Sequence, residues 1–93
     1  MEFKEQIEYA KTHYPKEYEI AKRLSYPENY FLFGCKWLHD IPEASDTAIK
    51  YFLIQWDKYV KDEVDINTIK DTNELAWTVF KYRKAYENSH RVE

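Results

Sequence analysis

Turn residues constrain this chain more than any other feature. One glycine, Gly34, and three prolines, Pro15, Pro27 and Pro42, punctuate all 93 residues. Several β-hairpins would demand far more turn positions than these can supply. All-β and glycine-loop architectures are therefore disfavoured, and a helical one is expected. The length leaves room for one domain, 1–93, which excludes a two-domain enzyme with a cleft between its halves. An apolar content of 44%, with 18% aromatic, suffices for a core, and 33% charged residues keep the chain soluble, so disorder is not expected.

The single cysteine, Cys35, excludes an internal disulfide and a Cys-based zinc finger, and it suits a reducing compartment. The start, Met1-Glu2-Phe3-Lys4-Glu5, lacks the basic region and apolar stretch of a signal peptide. No apolar run approaches the roughly 18 residues of a membrane span. A cytoplasmic protein without membrane contact is the resulting expectation. Lys, Tyr, Ile, Phe and Asn total 36 residues, against 13 for Ala, Gly, Pro and Arg together. That bias matches AT-rich codons, as in a low-GC bacterium or a phage or plasmid living in one.

Helical periodicity opens at 2–14, where Phe3, Ile7, Ala10 and Tyr14 share one face. Pro15 either breaks this helix or enters the first turn of the next. A second helix is expected over about 16–25, burying Ile20, Ala21 and Leu24 and stopped by Ser25-Tyr26-Pro27. From 28 to 40 apolar residues cover most of the circumference, as in a central helix. Gly34 within it should admit a second helix at close range. Periodicity alone leaves open a short buried strand at 30–33.

Residues 42–45 read as a loop, with Ser45 or Asp46 as the cap of a helix over about 46–62. Its core face is Ile49, Phe52, Leu53, Trp56, Tyr59 and Val60. The acidic run Asp62-Glu63-Val64-Asp65 is unfavourable at a helix C-terminus and has no evident structural benefit. Asp71-Thr72-Asn73-Glu74 resembles a capping box and starts the last helix. Leu75, Val79, Tyr82 and Tyr86 give that helix a core stripe to about 88, and residues 89–93 are expected to fray. The expected fold is a compact all-α bundle of four or five helices, with the 28–40 and 46–62 helices at its centre.

Catalytic chemistry finds little support in these residues. His13, His39 and His90 form no HxxxH or HExxH pair for zinc. Glu87 and His90 supply one Glu-x-x-His step, where a di-iron bundle needs two and further glutamates. Cys35 and His39, four apart, make the best nucleophile candidate, but a lone cysteine between Phe33 and Trp37 reads better as core. One glycine makes no phosphate loop. The expectation is no catalytic residue, no metal and no cofactor.

Charge is uneven along the chain: residues 40–76 carry nine acids against four bases, and 77–93 carry four bases against two acids. The formal net charge of −3 argues against general or sequence-specific nucleic-acid binding. A two-toned surface suits a specific protein partner. Two patches lie off the core stripes. Trp77, Lys81 and Lys84, with Asn88, line one side of the last helix, as an interface hot spot would unless another helix covers Trp77. Tyr51, Ile54 and Lys58 lie opposite the core face of their helix and meet a partner unless that helix is buried on both sides.

The residues thus point to a non-enzymatic protein-binding module. In size, composition and codon bias it resembles, in type and through no shared motif, the accessory proteins of phages and mobile elements. Anti-CRISPR inhibitors of host nucleases belong to that class. The likeness implies stoichiometric binding to a host nucleic-acid-handling enzyme, in one of two ways. Acidic groups such as Asp57, Asp62, Glu63 and Asp65 could cover a nucleic-acid channel, or Trp77 could wedge into a pocket. A nucleotide-sequestering protein with an aromatic pocket, and a homo-oligomer joined through Tyr51 and Ile54, are the alternatives.

Overall fold

The computed structural model describes residues 2–41 and 45–90. Among them the chain forms five α-helices and no strand: α1 (Phe3–His13), α2 (Pro15–Arg23), α3 (Phe31–Asp40), α4 (Asp46–Tyr59) and α5 (Thr72–Ser89). The all-α expectation holds, and residues 30–33 are helical. The expected loop at 42–45 falls outside the described residues except for Ser45, as do residues 91–93 of the fraying expected over 89–93, of which Ser89 is still helical.

Pro15 both ends one helix and begins the next. It occupies the first turn of α2, where its missing N–H costs nothing, and Tyr14 between the helices leaves helical geometry at φ −131°, ψ 59°. The α2 exit turns on Ser25, whose φ of 57° lies in the left-handed region. That reversal sends Tyr26 inward, where its ring is buried and its hydroxyl donates to the Asp46 carbonyl at 3.1 Å. A 3₁₀ turn, Glu28–Tyr30, then leads into α3.

Gly34 accepts the Tyr26 ring as well as a side chain of the second helix expected there from sequence. A Cβ there would stand 2.5 Å from Tyr26 Cδ2 and 3.0 Å from Leu53 Cδ1 of α4. The notch in α3 is thus filled by the aromatic side chain that the preceding turn delivers. The largest fully buried side chains of the core are Trp56, Ile49, Leu53, Leu75 and Val60, together with Cys35. Helices α1, α2 and α3 pack on one another, α4 lies against α2 and α3, and the main helical neighbour of α5 is α4.

The segment joining α4 to α5 differs from its sequence reading. Helix α4 stops at Tyr59, and the acidic run that follows has a structural use. Asp65 Oδ1 accepts the Asn67 N–H at 3.0 Å and caps a second 3₁₀ turn, Ile66–Thr68. This turn buries Ile66 and Ile69 in the core. The start of α5 is as its sequence indicates, with Asp71 Oδ1 accepting the Glu74 N–H at 2.8 Å. The Glu74 carboxylate reaches the Lys70 N–H at 2.9 Å, one residue before the position a standard capping box would use.

The core stripe of α5 stops short. Leu75 and Val79 are buried and Tyr82 is half-buried, but Tyr86, expected in the core, is 46% exposed. Its ring meets the edge of Tyr59 at 5.2 Å between centroids and stacks on His90 at 4.0 Å. Beyond Tyr82 every described residue of α5 is exposed. The N-terminal half of this helix belongs to the core, and its C-terminal half does not.

Candidate functional site

An α-helix of 18 residues is about 27 Å long. Seated on Leu75 and Val79, α5 turns the opposite side of its cylinder to solvent, and Trp77 stands there, 71% exposed. Among the described residues no other helix covers it. Phe80, one turn on, is 55% exposed and meets the Trp77 ring edge-on, with centroids 6.0 Å apart and planes at 85°. The sequence reading missed Phe80. The helical spacing held the signal, since Phe80 is three residues from Trp77, four from Lys84 and off the Leu75–Val79–Tyr82 stripe.

Lysine side chains flank these rings. Lys84 Nζ lies 5.7 Å from the centre of the Phe80 ring, and Lys81 Nζ lies 5.9 Å from that of Tyr82. Both are cation–π distances, and at such exposed sites each contact contributes little, about 0.5–1 kcal/mol. Trp77, Phe80, Lys81, Lys84 and Asn88 therefore form one continuous strip, which includes all four residues expected from sequence.

The second expected patch joins the margin of the first. Tyr51 and Ile54 of α4 are 47% and 40% exposed, so α4 is not buried on both sides. Arg83 links the two helices: its Nη1 donates to the Tyr51 hydroxyl at 3.2 Å, and its Nε donates to Glu87 Oε1 at 3.0 Å. These two hydrogen bonds raise the guanidinium pKa further above its usual value, that to Glu87 first. Lys58 turns to the neighbouring Tyr59 ring, 5.2 Å from its centre.

The four acidic candidates differ in how the fold engages them. Asp57 Oδ1 accepts from the Asn29 amide at 2.8 Å, tying α4 to the turn before α3. Asp65 is engaged at its own cap by both the main-chain and side-chain nitrogens of Asn67. Asp62 and Glu63 remain exposed. Two of the four thus accept hydrogen bonds from other residues of the fold, and Asp65 does so at an exposed position.

Cys35 has no exposed surface, and burial, aided by the charge of Glu17, pushes its thiol up to about 12. His39 does not activate it, because Nδ1 of His39 faces Glu17 Oε1 at 3.4 Å. A thiol held protonated in the core behaves as a small apolar side chain. No group of three or more metal-ligating side chains occurs among the described residues. None of the described helices is long and apolar enough to cross a membrane.

A groove of about 540 Å³ between α1, the start of α3 and the Ile66–Thr68 turn is the place for an aromatic ligand pocket. Tyr30, Phe33, Lys36 and Ile66 line it, with the carboxamides of Asn29 and Asn67. Both side-chain amides already donate to carboxylates of the chain, to Asp57 and to Asp65. Gln6 and Lys36 complete its polar lining.

Comparison with known proteins adds no relative: no family model matches the chain, nor does any curated protein or solved structure.

Proposed function

We propose that this chain is a non-enzymatic protein-binding module that docks through the outer face of α5. The observation that carries this reading is the 71% exposure of Trp77 in mid-helix, with Phe80 edge-on beside it. A large rigid aromatic left in water has surface to bury in a complex and little side-chain entropy to lose, and so tryptophans recur as interface hot spots. The narrower form of the reading is a stoichiometric phage or mobile-element inhibitor of a host defence nuclease, of the anti-CRISPR type. Of its two versions, insertion of Trp77 into a pocket draws support from this exposure. The acidic cover draws less, because Asp57 and Asp65 already serve the fold.

Homo-oligomerisation through Tyr51 and Ile54 is the second reading, favoured by the exposure of both side chains beside the α5 strip.

Affinity capture from a low-GC bacterial lysate tests the first reading, using the tagged full chain and a Trp77→Ala/Phe80→Ala variant of unchanged helical circular dichroism. A stoichiometric protein retained by the unaltered chain and lost by the variant is expected. Equal retention by both removes α5 as the docking element. Sedimentation equilibrium on the same samples separates the second reading, which requires a dimer or larger species without any partner.

A further inference from the structure

We infer that the partner receives α5 in an apolar cleft bordered by carboxylates, with α5 entering as the ligand helix. This rests on the α5 docking reading and specifies its partner.

The argument is one of charge on a single strip. Between Trp77 and His90 the ionised side chains are Lys81, Arg83, Lys84 and Glu87. Glu87 is engaged by Arg83 at 3.0 Å. No carboxylate among the described residues pairs with Lys81 or Lys84, and their ammonium groups lean over rings instead. A chain of net charge −3 therefore places two uncompensated positive charges beside its most exposed aromatics. Docked against apolar surface alone, these ammonium groups would lose water without replacement. Carboxylates at the border of the receiving cleft supply that replacement and set orientation.

The spacing suits a helix laid in a groove. Trp77, Phe80, Lys81 and Lys84 stand at i, i+3, i+4 and i+7, the pattern by which an amphipathic helix presents its anchors. They span two turns, about 10 Å. The perpendicular Trp77–Phe80 pair forms the apolar wedge, and the lysines border it on the solvent side.

Other occupants fit less well. A second copy of the same face would bring Lys81, Arg83 and Lys84 against their own kind, a repulsive arrangement. Trp77 could stack on a base. A polyanion, however, is held by many phosphate contacts, and this strip offers few cations on an acidic chain.

The test uses the protein captured as described above, purified and titrated calorimetrically with the full-length chain at low and high NaCl. Lys81→Glu/Lys84→Glu is compared with Lys81→Ala/Lys84→Ala and with a control reversal on α1, Lys4→Glu/Lys11→Glu. Reversal at α5 is expected to weaken binding about a hundredfold, neutralisation about tenfold, and the control less than about twofold. High salt should weaken the unaltered chain more than the neutralised one. Equal binding by the α5 reversal variant, while Trp77→Ala/Phe80→Ala still fails to bind, overturns the carboxylate border and leaves α5 docking standing. Full binding by that aromatic variant, or no captured protein at all, overturns both. Capture abolished by nuclease treatment replaces the acidic protein with a nucleic acid and overturns the inference.

Discussion

Trp56 and Trp77 each sit within a helix, yet one has no exposed surface and the other is 71% exposed. The difference lies in what stands opposite. Trp56 belongs to α4, which packs against α2, α3 and α5. Trp77 belongs to α5, whose main helical neighbour is α4, on the side of Leu75 and Val79. Helical spacing already separates the two, with Trp56 on the core face of α4 and Trp77 off the core stripe of α5; what spacing does not state is whether a further element covers the off-stripe side.

The largest predicted effect would break or confirm this contrast. Trp56→Ala should cost about 3–5 kcal/mol, by lost burial and the cavity left in the core. Trp77→Ala should change stability by no more than about 0.5 kcal/mol. Urea unfolding measures both. Iodoacetamide labelling of buried Cys35 provides a second readout, accelerated in the first variant and unchanged in the second. A Trp77→Ala variant as unstable as Trp56→Ala would mean that α5 is covered.

What the sequence conveyed, and what it did not, follows the same division. Features fixed within a few residues were legible to within a neighbouring alternative: the boundary at Pro15, the caps at Ser45 or Asp46 and at Asp71 or Thr72, and the buried face of α4. Trp77, Lys81 and Lys84 were placed on one strip by spacing alone. Features depending on distant partners were not legible. The stripe through Tyr86 continues at helical spacing, but periodicity names a face without showing that anything lies against it. Ile66 and Ile69 were missed because a three-residue 3₁₀ turn is too short to show a period. Tyr26 read as part of a stop signal, since its burial depends on Ser25 turning left-handed and on Gly34 leaving space.

That last arrangement gives a sharper test of the core side. Gly34→Ala would gain about 1 kcal/mol of helix propensity. Its methyl would stand 2.5 Å from the Tyr26 ring, whose buried position and bond to Asp46 leave it little room to move. Overpacking of this kind costs about 1–3 kcal/mol, and a net loss of stability in urea is expected. Gly34→Ala combined with Tyr26→Ala should relieve the clash while losing the ring, so the two changes will not add. Additive losses would show that the ring is not what Gly34 accommodates.

The smallest effect concerns how firmly α5 is attached. Its packed half is its first half, so the Asp71 cap and the Leu75 and Val79 contacts secure the whole helix from one end. Asp71→Ala removes the acceptor of the Glu74 N–H and should cost about 1 kcal/mol. Glu74→Ala, which leaves that bond in place and removes only the reach to the Lys70 N–H, should cost less. Thermal unfolding gives the global change, and hydrogen exchange at amides 75–79 gives the local one. If both fall together in Asp71→Ala, α5 unfolds with the bundle and carries its exposed strip as part of one cooperative unit. If only the local protection falls, α5 opens independently, and the docking face belongs to the less stable of the two regions. No change in either would separate the cap from the attachment of α5, and the contrast between a secured first half and an open second half would fail.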